Sequence, residues 1–544
     1  LRFARQREHG FVVTRLNLWE LVADAANHSP DKVALIDGVA THSYAWLASQ
    51  VERCAAWLYE RGLRPGDRLA ICLRKSVEEV IATLAAARIG AAFVNIHPQW
   101  TLGQFRHVVA DSGARLLIVE AARLAELRQL EPAAFAALPQ LIVLGKAELP
   151  EGVLRWPRLD EVTAGAAPAV APPASDALAA LLYTSGSTGR PKGVMHSQRN
   201  LLEFAANVAE YLHASSDDRV IGILPISFGY GLSQLLTALH AGGTLVLQKT
   251  AFPAEVVKTL LARDITGVAA VPMVWKQLLA YLDEQPTRFP ALRYATNAGG
   301  KMSEQNAERM RRSLPGTQIV LMYGSTEALR STYVAPELFA QKPGAIGRAI
   351  PNVQVFCVDA AGELAAPGQV GELVHAGSHV SQGYWNNPEA TRARFRRCPA
   401  LRDRVGDQLV YFSGDMVRVD EDGVFWFVSR ADWMVKSGGF RFSTSEVEDL
   451  IARSELVGEA VVFAVDDEQM EQVVHAVVTA PAGGTLELAD LERHCWKHMP
   501  SYMMPRKFIV WSGALPTTAN GKLDRAALWQ QVCAGGAPPA EDAQ

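Results

Sequence analysis

Short apolar runs alternate with amphipathic stretches of helical period through most of this chain, and this alternation is its tightest architectural constraint. Residues 68–73, 114–120 and 140–144 read as buried strands, with a helix over 76–89 between the first two. The rhythm continues at 219–225, 244–248, 267–272 and 318–323. Strands that are apolar on both faces belong in parallel sheets covered by helices. From 353 to 426 the pattern changes to short strands with Gly-rich turns, which suits a small β subdomain. After Arg430 a final block again alternates strand and helix. The chain therefore reads as α/β. A large N-terminal domain over 1–431 is built of parallel-sheet subdomains plus the β subdomain. A small α+β C-terminal domain follows over 432–533, and then a flexible Ala/Pro/Gly tail over 534–544.

Composition removes several function classes. At 49% hydrophobic and 20% charged, the 544 residues can bury a large core, so global disorder is excluded. Lys and Arg number 53 against 57 Asp and Glu, so the basic surplus of a nucleic-acid binder is missing. The charge-free run 220–248 is long enough to span a bilayer. Pro225, His240 and Gly222, Gly229, Gly231, Gly242 and Gly243 interrupt it, so it reads as strand, turn, helix and strand, with no membrane span. The N-terminal residues lack the apolar core of a secretory signal. Six scattered cysteines without a C-x-x-C argue against a zinc ribbon or disulfide framework and favour a reducing cytoplasm.

The densest chemical signal is the decapeptide from Thr184 to Gly193: Thr184, Ser185, Gly186, Ser187, Thr188, Gly189, Arg190, Pro191, Lys192 and Gly193. It follows a strand-like apolar run. Glycines let the backbone curl, hydroxyls donate, and Lys192 brings positive charge, a combination suited to an oligophosphate. No G-x-x-x-x-G-K-[ST] occurs, so P-loop nucleotidases are disfavoured. A flexible Gly/Ser turn is the plain alternative. A second constellation, Tyr323, Gly324, Ser325, Thr326 and Glu327, ends another apolar strand. Its carboxylate suits a hard cation such as Mg²⁺, and Tyr323 suits stacking on a base. Helix capping by Ser325 or Thr326 explains the same residues. A third is Ser413, Gly414 and Asp415, followed by Arg430 and Asp432; an acid at a strand end can accept ribose hydroxyls, or simply form an Asx-turn.

Together these stretches resemble the adenylate-forming superfamily of acyl-CoA synthetases, luciferases and peptide-synthetase adenylation domains, over nearly the whole chain. Residues 373–391, 429–448 and 516–525 resemble three further signatures of that superfamily. Stretches 224–234, 292–302 and 321–333 look most similar to acyl-CoA ligases associated with the bacterial exosortase A system. The resemblance implies ATP, Mg²⁺ and coenzyme A, with a small carboxylic acid as substrate and CoA, or an acyl-carrier protein, as acceptor. It implies Thr184–Lys192 on the β,γ-phosphates, Mg²⁺ near Glu327, and Lys522 between carboxylate and α-phosphate. Asp415 and Arg430 would hold the ribose, and Gly299, Gly300, Lys301 and Tyr323 would line the adenine. It further implies a mobile C-terminal domain hinged at Asp432, with Gly438, Gly439 and Phe440 beside the pantetheine of CoA.

Three departures from the superfamily pattern stand out. Gly229 replaces the Asp that pairs with the ammonium group in amino-acid-activating relatives, which argues against an α-amino acid. Glu471 occupies a position that is often Gly, and Gln198 one that is often His, with His196 two residues earlier. Phe228, Tyr230, Trp275, Asn297 and Ala298 match positions used around the acyl group, and their aromatics suggest an apolar pocket. Core packing is the alternative for Trp275. For Arg330, just after the Thr-Glu motif, the alternatives are a second polar group on the substrate or a structural salt bridge.

Overall fold

The structure is a computed structural model. It describes residues 15–162, 174–184, 191–300, 302–437, 440–467, 470–481, 483–518 and 522–533. The expected tail over 534–544 and most of the Pro/Ala-rich stretch 165–176, which reads as a connector, lie outside them. The chain groups into two compact units: Leu1–Pro343, Ala349–Gln354 and Ala376–Arg396 in the first, and Gly344–Arg348, Val355–His375 and Arg397–Gln544 in the second.

The first unit holds two largely parallel sheets. One runs in spatial order Leu154–Arg155, Gln140–Leu144, Leu116–Glu120, Arg68–Cys72, Ala92–Asn95, Leu178–Thr184 and Lys192–Ser197. Only its last pair is antiparallel. The other includes, side by side, Thr332–Val334, Gln318–Tyr323, Tyr294–Asn297, Gly267–Ala270, Arg219–Gly222 and Thr244–Leu247. Its four inner pairs among these are parallel, and the Gln318–Tyr323 pair with Thr332–Val334 is antiparallel. These strands are buried on both faces, which is why they read as continuous apolar runs.

The helix Val77–Ile89 shows how local sequence sets the crossovers. The Ser76 side chain accepts from Glu79 N, acids fill the first turn, and Gly90 closes the end at φ +83°. The charge-free 220–248 run resolves into strand Arg219–Gly222, helix Gly229–His240 and strand Thr244–Leu247, as its glycines imply. Among the described residues no helix is long and apolar enough to cross a membrane.

The second unit contains a sheet with Gln354–Val358, Val370–Ala376, Val410–Val419 and Phe425–Arg430 as successive neighbours. It also contains a C-terminal sheet in the order Phe440–Ser443, Met434–Ser437, Glu471–Thr479 and Ala460–Asp467, with Lys507–Trp511 parallel to Glu471–Thr479. Helices Thr444–Ala452 and Leu488–His498 supply Val447, Ile451 and Leu491 to a core with Val435, Phe442 and Val474. A large parallel α/β body and a small α+β C-terminal block match the fold class read from the sequence.

Candidate active site

In the first unit, the expected phosphate-loop ends sit on a hairpin. Leu178–Thr184 and Lys192–Ser197 pair antiparallel, with Thr184 directly opposite Lys192. Ser185, Gly186, Ser187, Thr188 and Gly189 lie outside the described residues. Gly193 is required by packing: a Cβ there would lie 2.9 Å from the Tyr183 ring, whose hydroxyl donates to Asp111 Oδ2 at 2.6 Å.

The outer edge of Lys192–Ser197 takes up residues 382–385. Met195 N donates to Gly383 O (2.9 Å) and Trp385 N to Gly193 O (2.8 Å). This pairing brings in Tyr384. Lys192 Nζ lies 5.9 Å from its ring centroid, and its hydroxyl donates to Glu327 Oε1 at 2.7 Å. The lysine of the first motif and the acid of the second thus meet through one phenol. Ser381 N donates to Glu327 O at 2.8 Å, fixing the backbone beneath the carboxylate.

His196 closes the same junction. It is fully buried, and burial pushes its pKa down to about 4, so the ring is neutral. Its Nε2 lies 2.9 Å from the Thr326 carbonyl and must carry the proton; Nδ1 has no partner among the described residues. Gln198 accepts from Leu18 N at 3.1 Å and so ties down an N-terminal segment.

The carboxyl ends of parallel strands gather the remaining residues of this unit. Asn297 pairs with Leu321 on one side and Ala270 on the other, so residues after 270, 297 and 323 emerge at one sheet edge. Gly299 adopts φ +82°, and a Cβ on Gly300 would meet Pro272 at 3.1 Å. Lys301 lies outside the described residues. Gly324 is tighter still: a Cβ there would lie 1.9 Å from Leu329 O. No helix follows Ser325 or Thr326, so the capping alternative is set aside. Residues 324–331 instead form a loop closed by Ser331 N to Tyr323 O (3.0 Å).

The expected acyl-pocket residues sit beside that loop. Phe228 stacks on His97 at 5.0 Å, and the Tyr230 hydroxyl lies 2.6 Å from Thr296 Oγ1. Asn297 Nδ2 donates to Gly300 O (3.3 Å), and Ala298 is buried. Trp275 is wholly enclosed in the sheet's core, with Nε1 donating to Thr296 O at 3.0 Å, so core packing accounts for its contacts. Arg330 lies over the Tyr230 ring at 4.4 Å, and the salt bridge expected of it is not found among the described residues.

In the second unit, Asp415 and Arg430 are register partners on neighbouring strands and form an ion pair at 2.9 Å. Asp415 sits within a strand rather than an Asx-turn. Gly414 (φ +74°) donates to Glu372 Oε1 at a register shift, and Asp415 N donates to Ser413 Oγ. Asp432 falls in the short 3₁₀ turn Ala431–Trp433. Gly438 and Gly439 lie outside the described residues; the flanking Ser437 and Phe440 are register partners. Lys522 is exposed; its carbonyl accepts from Thr518 N (2.7 Å), and Thr517 and Leu523 form a bridge on either side.

Two residues absent from the sequence-derived set join this arrangement, Tyr384 and His97. Tyr384 lies inside a signature stretch but 57 positions from Glu327, and only strand pairing reveals the contact. His97 is buried and neutral, with its pKa pushed down to about 4 by burial, and it carried no motif.

Residues 22–385 match the family described as AMP-binding enzyme, and 446–522 match its C-terminal domain. Tyrocidine synthase 3 of Brevibacillus parabrevis is 30% identical over 514 residues; the match covers 94% of this chain but only 8% of that synthase. ATP-bound MatB from Rhodopseudomonas palustris superimposes with a TM-score of 0.83 at 27% identity, covering 95% of this chain and 99% of MatB. O-succinylbenzoate coenzyme A synthetase (MenE) from Bacillus subtilis, in complex with ATP and magnesium ion, gives 0.79 at 26% identity, covering 94% and 99%. The chain belongs to the AMP-binding enzyme family, within the adenylate-forming superfamily that its motifs resemble.

Proposed function

We propose that this chain is an AMP-forming acid–thiol ligase that makes acyl-CoA. A carboxylate oxygen attacks the α-phosphorus of ATP and the bond to pyrophosphate breaks, leaving acyl-AMP. A CoA thiolate then attacks the acyl carbon and AMP leaves. The observation carrying this reading is the structural similarity to a coenzyme A synthetase, at a TM-score of 0.79 and 26% identity. The glycine at 229 also supports it, since the space beside it faces Leu329 Cδ2 rather than an acid.

Phosphoryl transfer rests on positioning and charge neutralisation. In this reading Thr184, Lys192 and the loop between them take the β,γ-phosphates, Gly299 to Lys301 and Tyr323 to Thr326 the adenosine, Asp415 and Arg430 the ribose, and Lys522 the α-phosphate and carboxylate. Mg²⁺ fits Glu327: Tyr384 steadies Oε1, while Oε2 has no protein partner among the described residues. The described residues contain no cluster of three acid, His or Cys ligands. Mg²⁺ commonly accepts one carboxylate with phosphate oxygens and water. When bound, it would neutralise phosphate charge. The functional boundary at 432, the hinge at Asp432 and CoA contacts from 438–440 belong to the same proposal.

Loading an acyl-carrier protein is the second reading, favoured by the peptide-synthase relative. ATP-dependent pyrophosphate release across aryl, branched, medium-chain and long-chain acids tests the first step. Product analysis with CoA and with a holo carrier protein then separates the two acceptors. No pyrophosphate with any acid would reject both.

A further inference from the structure

We propose that Arg330 recognises a second carboxylate on the acid, so that the substrate is a dicarboxylic acid rather than a simple fatty or aryl acid. The proposal rests on the ligase reading above and names its substrate class.

Arg330 is 5% exposed. Among the described residues Nη1 donates to the adjacent Leu329 O at 3.1 Å and the guanidinium faces the Tyr211 hydroxyl, while Nε and Nη2 are buried without a hydrogen-bond partner there. Among the described residues, other guanidinium groups that are buried or half-buried are paired, as three examples show. Arg123 meets Glu126 and the Pro98 and Trp100 carbonyls, Arg293 meets Asp218, and Arg525 meets Glu448. Arg330 has no such anion among the described residues. The neighbouring phenols cannot serve, because burial pushes Tyr230 up to about 12 and Tyr211 upward too, with the guanidinium only partly offsetting it.

A buried, unpaired cation is costly and contributes nothing to folding that an apolar side chain would not. The backbone nevertheless holds it inward. Leu329 takes φ +51°, rare for a branched residue, and its carbonyl is pressed against Gly324. The two idle donors are also the informative ones. Nε and Nη2 share one edge of the guanidinium, the edge that grips both oxygens of a carboxylate. That guanidinium lies over Tyr230, in the group of residues the resemblance assigns to the acyl chain. An anion delivered by the substrate completes the pairing that the protein leaves open.

The test uses the full chain with matched acids: hexanoate and adipate, octanoate and suberate, benzoate and isophthalate. Pyrophosphate release is measured with ATP and Mg²⁺, and acid-induced shifts in Tm are measured with AMP alone. At least one dianion should exceed its monoanionic partner in kcat/KM by about 10²-fold. Arg330→Met should erase that ratio and Arg330→Lys should restore part of it. Dianions should raise the Tm of the wild type but not of Arg330→Met, and without ligand Arg330→Met should be at least as stable as wild type. Dianion-specific stabilisation without any pyrophosphate would sustain the role of Arg330 and reject the ligase reading. Equal rates within every pair, or no dianion-specific shift, would overturn the role of Arg330 and leave the ligase reading standing. Lower ligand-free stability of Arg330→Met with unchanged selectivity would mark Arg330 as structural and also overturn it. If Arg330→Met does not fold, Arg330→Lys and the wild-type ratios decide the matter.

Discussion

Glu327 accepts from Tyr384 at one oxygen, and its other oxygen has no donor among the described residues, so its charge is both steadied and available. If that charge serves Mg·ATP, Glu327→Gln should lower pyrophosphate release by ~10²–10³-fold with the fold intact. Tyr384→Phe, which keeps the ring but drops the donor, should cost about tenfold. Normal turnover in both variants at ordinary Mg²⁺ would remove the assignment. Buried His196 carries a pH signature. Its folded pKa of about 4 lies below the ordinary 6.5, so above pH 6.5 both states are neutral and its contribution is complete. Between pH 6.5 and 4 the unfolded chain takes a proton that the native ring refuses, and stability falls by up to roughly 3 kcal/mol. His196→Gln should flatten the slope of Tm against pH in that window; an unchanged slope would mean the ring is protonated in the fold. Motif spacing was enough to nominate Thr184, Lys192 and Glu327. Tyr384 and His196 were not legible in that way, because their role comes from contacts across strands, 57 and 130 positions apart.

At the scale of elements, the loop between Gln318–Tyr323 and Thr332–Val334 is fixed by backbone contact rather than by side chains. Gly324→Ala would put a methyl carbon 1.9 Å from the Leu329 carbonyl, and no rotamer relieves a clash between backbone-bound atoms. A cost of about 3 kcal/mol or more is expected, read as a fall in Tm and loss of pyrophosphate release. Gly316→Ala is the control, since φ is +81° there but the space is open, and ~1 kcal/mol should suffice. Equal Tm values for the two variants would refute the tight loop. The strands themselves were readable, and Gln140–Leu144 and Gln318–Tyr323 match residue for residue. The other five were read one to three residues too long, the longest overruns coming where apolar residues continue past the strand end. Gly267–Ala270 stops because Pro272 opens the helix Pro272–Glu284 at its first turn, where a missing N–H is harmless. Arg219–Gly222 likewise stops short of Pro225, whose carbonyl is packed against Gly231 of the next helix. Apolarity alone does not distinguish a strand residue from a buried turn residue.

For the whole molecule, the proposed chemistry assigns its two half-reactions to different parts of the second unit. Lys522 is exposed in the C-terminal block, its carbonyl accepting from Thr518 N beside a bridge between Thr517 and Leu523. The 438–439 segment lies between Ser437 and Phe440 of another hairpin, close in sequence to Asp432. If Lys522 serves adenylation and 438–440 serve thioester formation, the two steps must be separable by mutation. Lys522→Ala should reduce acyl-AMP formation by at least ~10²-fold, because a charge aimed at the transferring phosphoryl group is gone. Supplied acyl-AMP and CoA should still give acyl-CoA in that variant. Asp432→Pro should do the reverse, since proline fixes φ near −65° and restricts the residue before it, hampering a change of backbone conformation at the hinge. Single-turnover assays of each half-reaction, with Tm as a check on folding, read the two effects separately. Equal loss of both halves in both variants, at unchanged Tm, would mean one rigid site performs both steps, and the hinge at Asp432 would have to be abandoned.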